Sequence, residues 1–159
     1  MKKLFLSFIA LSFYAIANAQ QSVYVELGGP GLASFNFDTR FGPKVDGFGG
    51  RIGFGGFSID GDGAIFIPVG LNYLLGKDQK NYFELGAGVT PVFISSSSSS
   101  GGDNFSSTFG HLLFGYRMQP PGGGFTFRAF VSPIFGDFGF LPYYGGVSFG
   151  YAFGGKSKK

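Results

Sequence analysis

The chain has 159 residues, enough for one domain and no more. It carries no cysteine, which excludes disulfides, a thiol nucleophile and Cys-based zinc sites. Only 13% of its residues are charged, and the formal charge of +3 falls to +1 without Lys2 and Lys3, too little to point to nucleic acid as a partner.

Residues 1–19 read as a cleavable signal peptide. Lys2 and Lys3 form a positive start, 4–16 is apolar, and Ala17-Asn18-Ala19 supplies the small-x-small pattern of a cleavage site before Gln20. The apolar run is shorter than the roughly 20 residues a spanning helix needs. No cysteine follows it to take a lipid anchor, and glycine, proline or charge interrupts every later apolar stretch. The expected layout is signal peptide 1–19, a β-domain over 20–155 and a basic tail over 156–159.

The rest of the chain alternates with period two, the mark of strands. Phe35, Phe37 and Phe41 share one phase; Ser34, Asn36, Asp38 and Arg40 share the other. Read in this way, eight segments follow at 21–28, 32–41, 47–57, 63–75, 80–94, 105–118, 124–135 and 142–154. Most come near the roughly 9–11 residues of a tilted bilayer-crossing strand. Turns lie at 42–46, 76–80 and 119–124 after even segments, and at 28–31, 58–62, 95–104 and 136–141 after odd ones. The serine run at 95–100 with Gly101-Gly102 reads as a low-complexity loop.

Alternation does not say which face is wet, but volume and charge do. The apolar phase holds Phe35, Phe37, Phe48, Ile52, Phe54, Ile65, Ile67, Val69, Leu71, Phe83, Leu85, Val89, Phe93, Phe114, Phe125, Phe127, Val131, Phe135, Val147, Phe149 and Phe153. An eight-stranded barrel has an interior only just wide enough for side chains, so these groups would overfill it. The opposite phase is small, with Gly49, Gly53, Gly55, Gly70, Gly86, Gly88, Gly146, Ser148, Gly150 and Ala152. That phase also carries Arg40, Arg51, Arg117, Arg128, Glu26, Asp38 and Glu84, while every lysine after the signal falls in a turn or the tail. Arginine's planar fork suits paired contacts with carboxylates in a confined space. The expected fold is therefore all-β: a closed antiparallel up-and-down transmembrane barrel of eight strands, apolar outside. Its lumen is expected to hold a structural polar network of Glu26, Asn36, Asp38, Arg40, Arg51, Asn72, Glu84, His111, Arg117 and Arg128. Only a closed barrel satisfies every strand backbone group in lipid, and eight is an even count. Tyr73, Tyr116, Tyr151 and Tyr143 suit interfacial positions.

This pattern over 21–154 resembles the small outer-membrane barrels typified by the OmpA transmembrane domain and OmpX. The last segment looks like that family's C-terminal assembly signal, with Gly146 followed by Phe149, Tyr151 and Phe153, although the chain runs on to Lys159. The resemblance implies bacterial outer-membrane localisation, lipid and the barrel-assembly machinery as partners, and a monomer. It also implies periplasmic termini and even turns, with odd loops outside. Lysines agree with that topology: Lys44, Lys77, Lys80, Lys156, Lys158 and Lys159 fall on the periplasmic side, and Asp60, Asp62, Asp103 and Asp137 in outer loops.

No catalytic, cofactor or metal site is expected. His111 is the one histidine, and neither serine nor threonine occupies position 113, the next on its face; no elbow motif surrounds a serine. Asp60-Gly61-Asp62-Gly63 opens like a calcium loop, but Ala64 and Ile65 stand where a ligand and a glycine are needed. The Gly-x-Gly pairs precede no helix, so no phosphate cradle is supported. The expected role is structural or interactive at the cell surface. A narrow pore or small-molecule transporter is one alternative, and a soluble periplasmic ligand-binding barrel a second.

Overall fold

The computed structural model describes residues 19–59, 62–95 and 105–154. The expected signal segment up to residue 18, Asp60, the loop over 96–104 with Asp103, and the basic tail lie outside the described residues.

Eleven strands form one sheet. They are β1 (Gln21–Gly28), β2 (Ala33–Arg40), β3 (Gly47–Ile59), β4 (Asp62–Phe66), β5 (Val69–Leu75) and β6 (Asn81–Ser95), followed by β7 (Phe105–Met118), β8 (Gly124–Val131), β9 (Ile134–Gly136), β10 (Gly139–Leu141) and β11 (Gly145–Phe153). Every pairing is antiparallel, and β11 returns to β1 from Gln21↔Phe153 to Gly28↔Gly146, which closes the sheet. Three staves are strand pairs placed end to end, so the eleven strands make eight staves of an up-and-down barrel.

The interruptions have local causes. β4 and β5 keep one register against β3, Gly55↔Phe66 and Ile52↔Val69. Pro68 stands between them and has no N–H to give to a ladder. The surrounding groups are still paired: the Gly53 N–H donates to the Pro68 carbonyl at 2.8 Å and the Ile67 N–H to the Pro91 carbonyl at 3.0 Å. Pro133 divides β8 from β9 in the same way. The sequence reading ran 63–75 and 124–135 unbroken because period-two alternation continues through both prolines.

The last connection also differs from expectation. Residues 136–141 are not all loop, because β9 and β10 form a tight hairpin in which Gly136 faces Gly139. Between β10 and β11, three residues (142–144) stand opposite two (132–133), a β-bulge that interrupts the expected last strand. Tyr143 sits on that bulge, 99% exposed.

Burial alternates as the side-chain period dictates. On β2, Ser34, Asn36, Asp38 and Arg40 are buried, while Phe35 and Phe37 are exposed. Aromatic rings pack against one another across the outer face: Phe48 on Tyr73 at 4.7 Å, Phe127 on Phe149 at 5.3 Å.

Both ends of the bore are narrowed by turns. A 3-10 turn, Gly29–Gly31, is buried at one end. Its entry holds φ of 79° at Gly28 and 67° at Gly29, a backbone that glycine adopts without steric cost. At the other end Val45, from the turn after β2, packs with Leu74 and Tyr82 in a small buried apolar cluster.

Candidate functional site

The lumen is where this chain concentrates its chemistry. Four arginines and three carboxylates point into it, each at most 4% exposed. Each sits on the inward phase of its strand, so the same alternation that turns phenylalanine outward brings these groups together.

Asp38 of β2 is the hub. Its Oδ1 accepts from Arg40 Nη2 and Arg117 Nη2, both at 2.8 Å. Its Oδ2 accepts from Arg128 Nη2 at 3.2 Å and from Asn72 Nδ2. Glu84 of β6 adds a second bridge, to Arg117 Nη1 at 3.2 Å and Arg128 Nε at 3.4 Å. Asn72 also accepts from Arg40 Nη2, so strands β2, β5, β6, β7 and β8 are tied into one network. A separate pair joins Arg51 of β3 to Glu26 of β1 at 2.9 Å, and Arg51 also donates to Asn36 at 3.1 Å. Away from water each ion needs such partners, since an unpaired buried charge costs several kcal/mol, roughly.

His111 lies elsewhere in the bore. Its Nδ1 is 3.2 Å from the Thr90 hydroxyl, both residues being buried. This is a nucleophile-type side chain beside a ring nitrogen, but both are closed off, and Nε2 faces Gly88, where a Cβ would stand at 2.7 Å. The contact is a buried lumen hydrogen bond. Among the described residues no group of His, Cys, Asp or Glu is arranged to hold a metal.

Several lumen residues escaped the sequence reading. Tyr24 and Phe130 are bulky, yet they point inward, 4% and 8% exposed. The signal that would have found them is a glycine across the ladder. Tyr24 faces Gly150, and Phe130 faces Gly115 and Gly146. Four of the polar residues follow the same rule, with Arg40 opposite Gly49, Asn36 opposite Gly53, Arg51 opposite Gly70 and His111 opposite Gly88, whereas Asp38, Glu26, Arg117 and Arg128 face no glycine. A Cβ on Gly49 would lie 2.0 Å from Arg40 Nη2, and one on Gly53 2.1 Å from Asn36 Oδ1. Glutamines were missed too: Arg117 Nε donates to Gln119 Oε1 at 2.6 Å, and Gln119 donates to Gln20 at 2.6 Å, which extends the network to one mouth of the barrel.

Gly146, Phe149, Tyr151 and Phe153 all lie on β11, the strand that pairs with β1 and closes the barrel. The three aromatics face outward, 46%, 53% and 49% exposed.

No protein-family model matches the sequence, and no curated protein matches it. Among solved structures, the N-terminal β-barrel domain of Pseudomonas aeruginosa OprF is similar at a TM-score of 0.61 and 12% identity, over 85% of this chain and 96% of that one. At that identity the likeness is one of fold. The Yersinia pestis outer membrane protein Ail, solved in a phospholipid bilayer nanodisc, aligns at a TM-score of 0.48 and 14% identity, over 85% of this chain and 98% of that one. The crystal structure of Ail, the attachment invasion locus protein of Yersinia pestis, aligns at 0.44 and 16%, over 84% and 94%.

Proposed function

We propose that this chain is an integral protein of the bacterial outer membrane, with a lumen sealed by its charged network and a structural or surface-interaction role. One observation carries the reading: the barrel is inside-out for water. Its four arginines and the carboxylates Glu26, Asp38 and Glu84 are buried, while Phe35, Phe48, Phe54, Leu71, Phe125 and Val131 are each more than half exposed. A soluble protein rarely exposes contiguous apolar patches above a few hundred Å². Closure at β11 and β1 supports the same reading, because a barrel in lipid leaves no unpaired edge around its wall.

Orientation follows the resemblance to small outer-membrane barrels, with the end carrying Lys44, Lys77 and Lys80 in the periplasm. A surface role gains support at the opposite end. There the β9–β10 hairpin carries Phe138, Phe140 and Leu141, each more than half exposed. Gly146, Phe149, Tyr151 and Phe153 serve in this reading as the assembly signal on the closing strand.

Carbonate washing of cell envelopes tests the localisation. The protein stays in the membrane pellet and enters detergent. Recovery as folded protein in the detergent-free periplasmic fraction contradicts the proposal. A tag inserted between Ser98 and Ser99 tests orientation, and is reachable on intact cells.

A further inference from the structure

The lumen also contains polar atoms that the salt bridges leave unused, and they are grouped. Ladder register puts Glu26 of β1 beside Ser148 of β11, and Ser148 beside Arg128 of β8. Tyr24, the neighbouring inward residue on β1, has its ring centroid 4.1 Å from the Arg128 guanidinium carbon and 5.9 Å from that of Arg51. Among the described residues seven buried side-chain atoms have no hydrogen-bond partner; Arg40 Nε and the acceptor Glu26 Oε2 are two of them, and the other five are Tyr24 Oη, Ser148 Oγ, Arg51 Nε and Nη1, and Arg128 Nη1. Their four residues are no more than 4% exposed. Each of those five atoms bears a hydrogen to donate.

Charge points the same way. Glu26 and Arg51 make a one-to-one pair. Asp38 and Glu84 are shared among Arg40, Arg117 and Arg128, two negative charges for three positive ones. Arginine does not give up its proton in proteins, so one cation is in excess. Arg40 and Arg128 each keep a free donor, but Arg40 and Arg117 both hold Asp38 at 2.8 Å, whereas Arg128 has no contact shorter than 3.2 Å. An uncompensated cation in such an interior is strongly unfavourable.

We propose that the lumen is a binding site for one small monovalent anion of the halide class, held between Arg128 and Arg51 with the Tyr24 and Ser148 hydroxyls as neutral donors. One excess positive charge calls for one negative charge. Donors arriving from β1, β3, β8 and β11 suit a compact sphere rather than a carbon skeleton. Glu26 is held on Arg51 through Oε1 alone and leaves Oε2 free, so its negative charge biases the ion away from Arg51 and toward Arg128. The same site also explains why Tyr24 rather than phenylalanine stands opposite Gly150.

The test starts from protein refolded in detergent with bromide present throughout, since the site is sealed once the barrel closes. Anomalous diffraction should show bromide beside Arg128 inside the bore. Bromide confined to the outer surface, with water or nothing among these donors, overturns the proposal. In solution, the folding equilibrium constant should rise tenfold per tenfold increase in chloride above the dissociation constant, at ionic strength fixed with gluconate, which is too bulky to enter. A wild-type response of zero slope also overturns it. Arg128→Gln removes the excess cation and should abolish the slope. Tyr24→Phe, which keeps the charge, should shift the response to higher chloride, so the question stays answerable if Arg128→Gln does not fold. None of these readouts depends on what covers the outer face, so failure here is distinct from failure of the membrane assignment.

Discussion

Asp38 and Arg117 stand on the second and sixth staves of the barrel, facing each other across its bore, and meet through Nη2–Oδ1 and Nη1–Oδ2 contacts of 2.8 and 3.2 Å. This two-point geometry is the strong form of an arginine–carboxylate contact, fixing orientation as well as distance. The bore is therefore crossed by side chains of opposite staves. Arg40 and Arg128 attach to the same carboxylate, so removing Asp38 takes a partner from three guanidiniums at once and leaves Arg40 with no carboxylate, while Arg117 and Arg128 keep Glu84.

Asp38→Ala should consequently be the most damaging of the charge deletions. Removing one partner of a buried pair typically costs about 3–5 kcal/mol, because the other is left uncompensated. Glu84→Ala should be milder, since Arg117 and Arg128 keep Asp38. Lys77→Ala, in an exposed turn, should change stability little. Urea unfolding of the three variants in detergent micelles gives the order, and equal midpoints for Asp38→Ala and Lys77→Ala would contradict the hub role.

Glycine spacing makes an independent prediction. A Cβ at Gly150 would lie 2.2 Å from the Val23 carbonyl oxygen and 2.4 Å from Tyr24 Cβ, and neither can swing aside as a flexible side-chain tip could. Gly150→Ala should cost about 1–3 kcal/mol, the usual range for overpacking, and lower the refolding yield. Gly122→Ala meets nothing within 4 Å and should fold like wild type. The difference between the two is readable from heat-modified mobility on gels.

The outer face supplies a third. Phe37→Arg, Ile67→Arg and Phe127→Arg each place a cation on the apolar phase, where insertion in lipid costs about 2–4 kcal/mol near the bilayer midplane and less toward its edges. Folding into lipid vesicles should weaken in all three. If they fold into vesicles as well as wild type does, the outward phase is not the lipid face.

How much of this was legible in the sequence depends on which interaction carried each feature. Alternation around Phe35–Phe37 and the confinement of arginine to the small-residue phase were enough for fold class and polarity, because both are local. Pairing was not legible. Whether Asp38 meets Arg117 or Arg51 depends on stagger around the closed sheet, which no single strand encodes. Tyr24 and Phe130 were missed for a related reason: each is large, and only the glycine on a neighbouring strand shows that it fits inside. Val45 looked like an ordinary turn residue, and its burial against Leu74 and Tyr82 arises only when the turn after β2 meets the ends of β5 and β6.

A pH effect is expected in the turn after β5. Asp78 accepts from the Asn81 side chain and from the Asn81 and Lys80 backbone N–H groups, which lowers its pKa from 3.8 to about 2. A carboxylate with a depressed folded-state pKa stabilises the fold above its unfolded value and loses that contribution as pH falls through the folded one. The turn should therefore weaken between about pH 4 and pH 2, in step with protonation of this group. Carbonyl-carbon NMR titration of Asp78 locates the transition, and Asp78→Asn should remove it. A titration midpoint near 4 would contradict the turn geometry.

The central claim, a barrel with an apolar outer face and a bore closed by Asp38, Glu84 and their arginines, is tested most directly by single-channel recording of the purified wild type and Glu84→Ala in planar lipid bilayers. The account predicts insertion with no steady current from wild type, and brief flickering openings from Glu84→Ala as Arg117 and Arg128 lose one of their two carboxylates. A large, steady, non-selective conductance from wild type would contradict it and make the protein a pore.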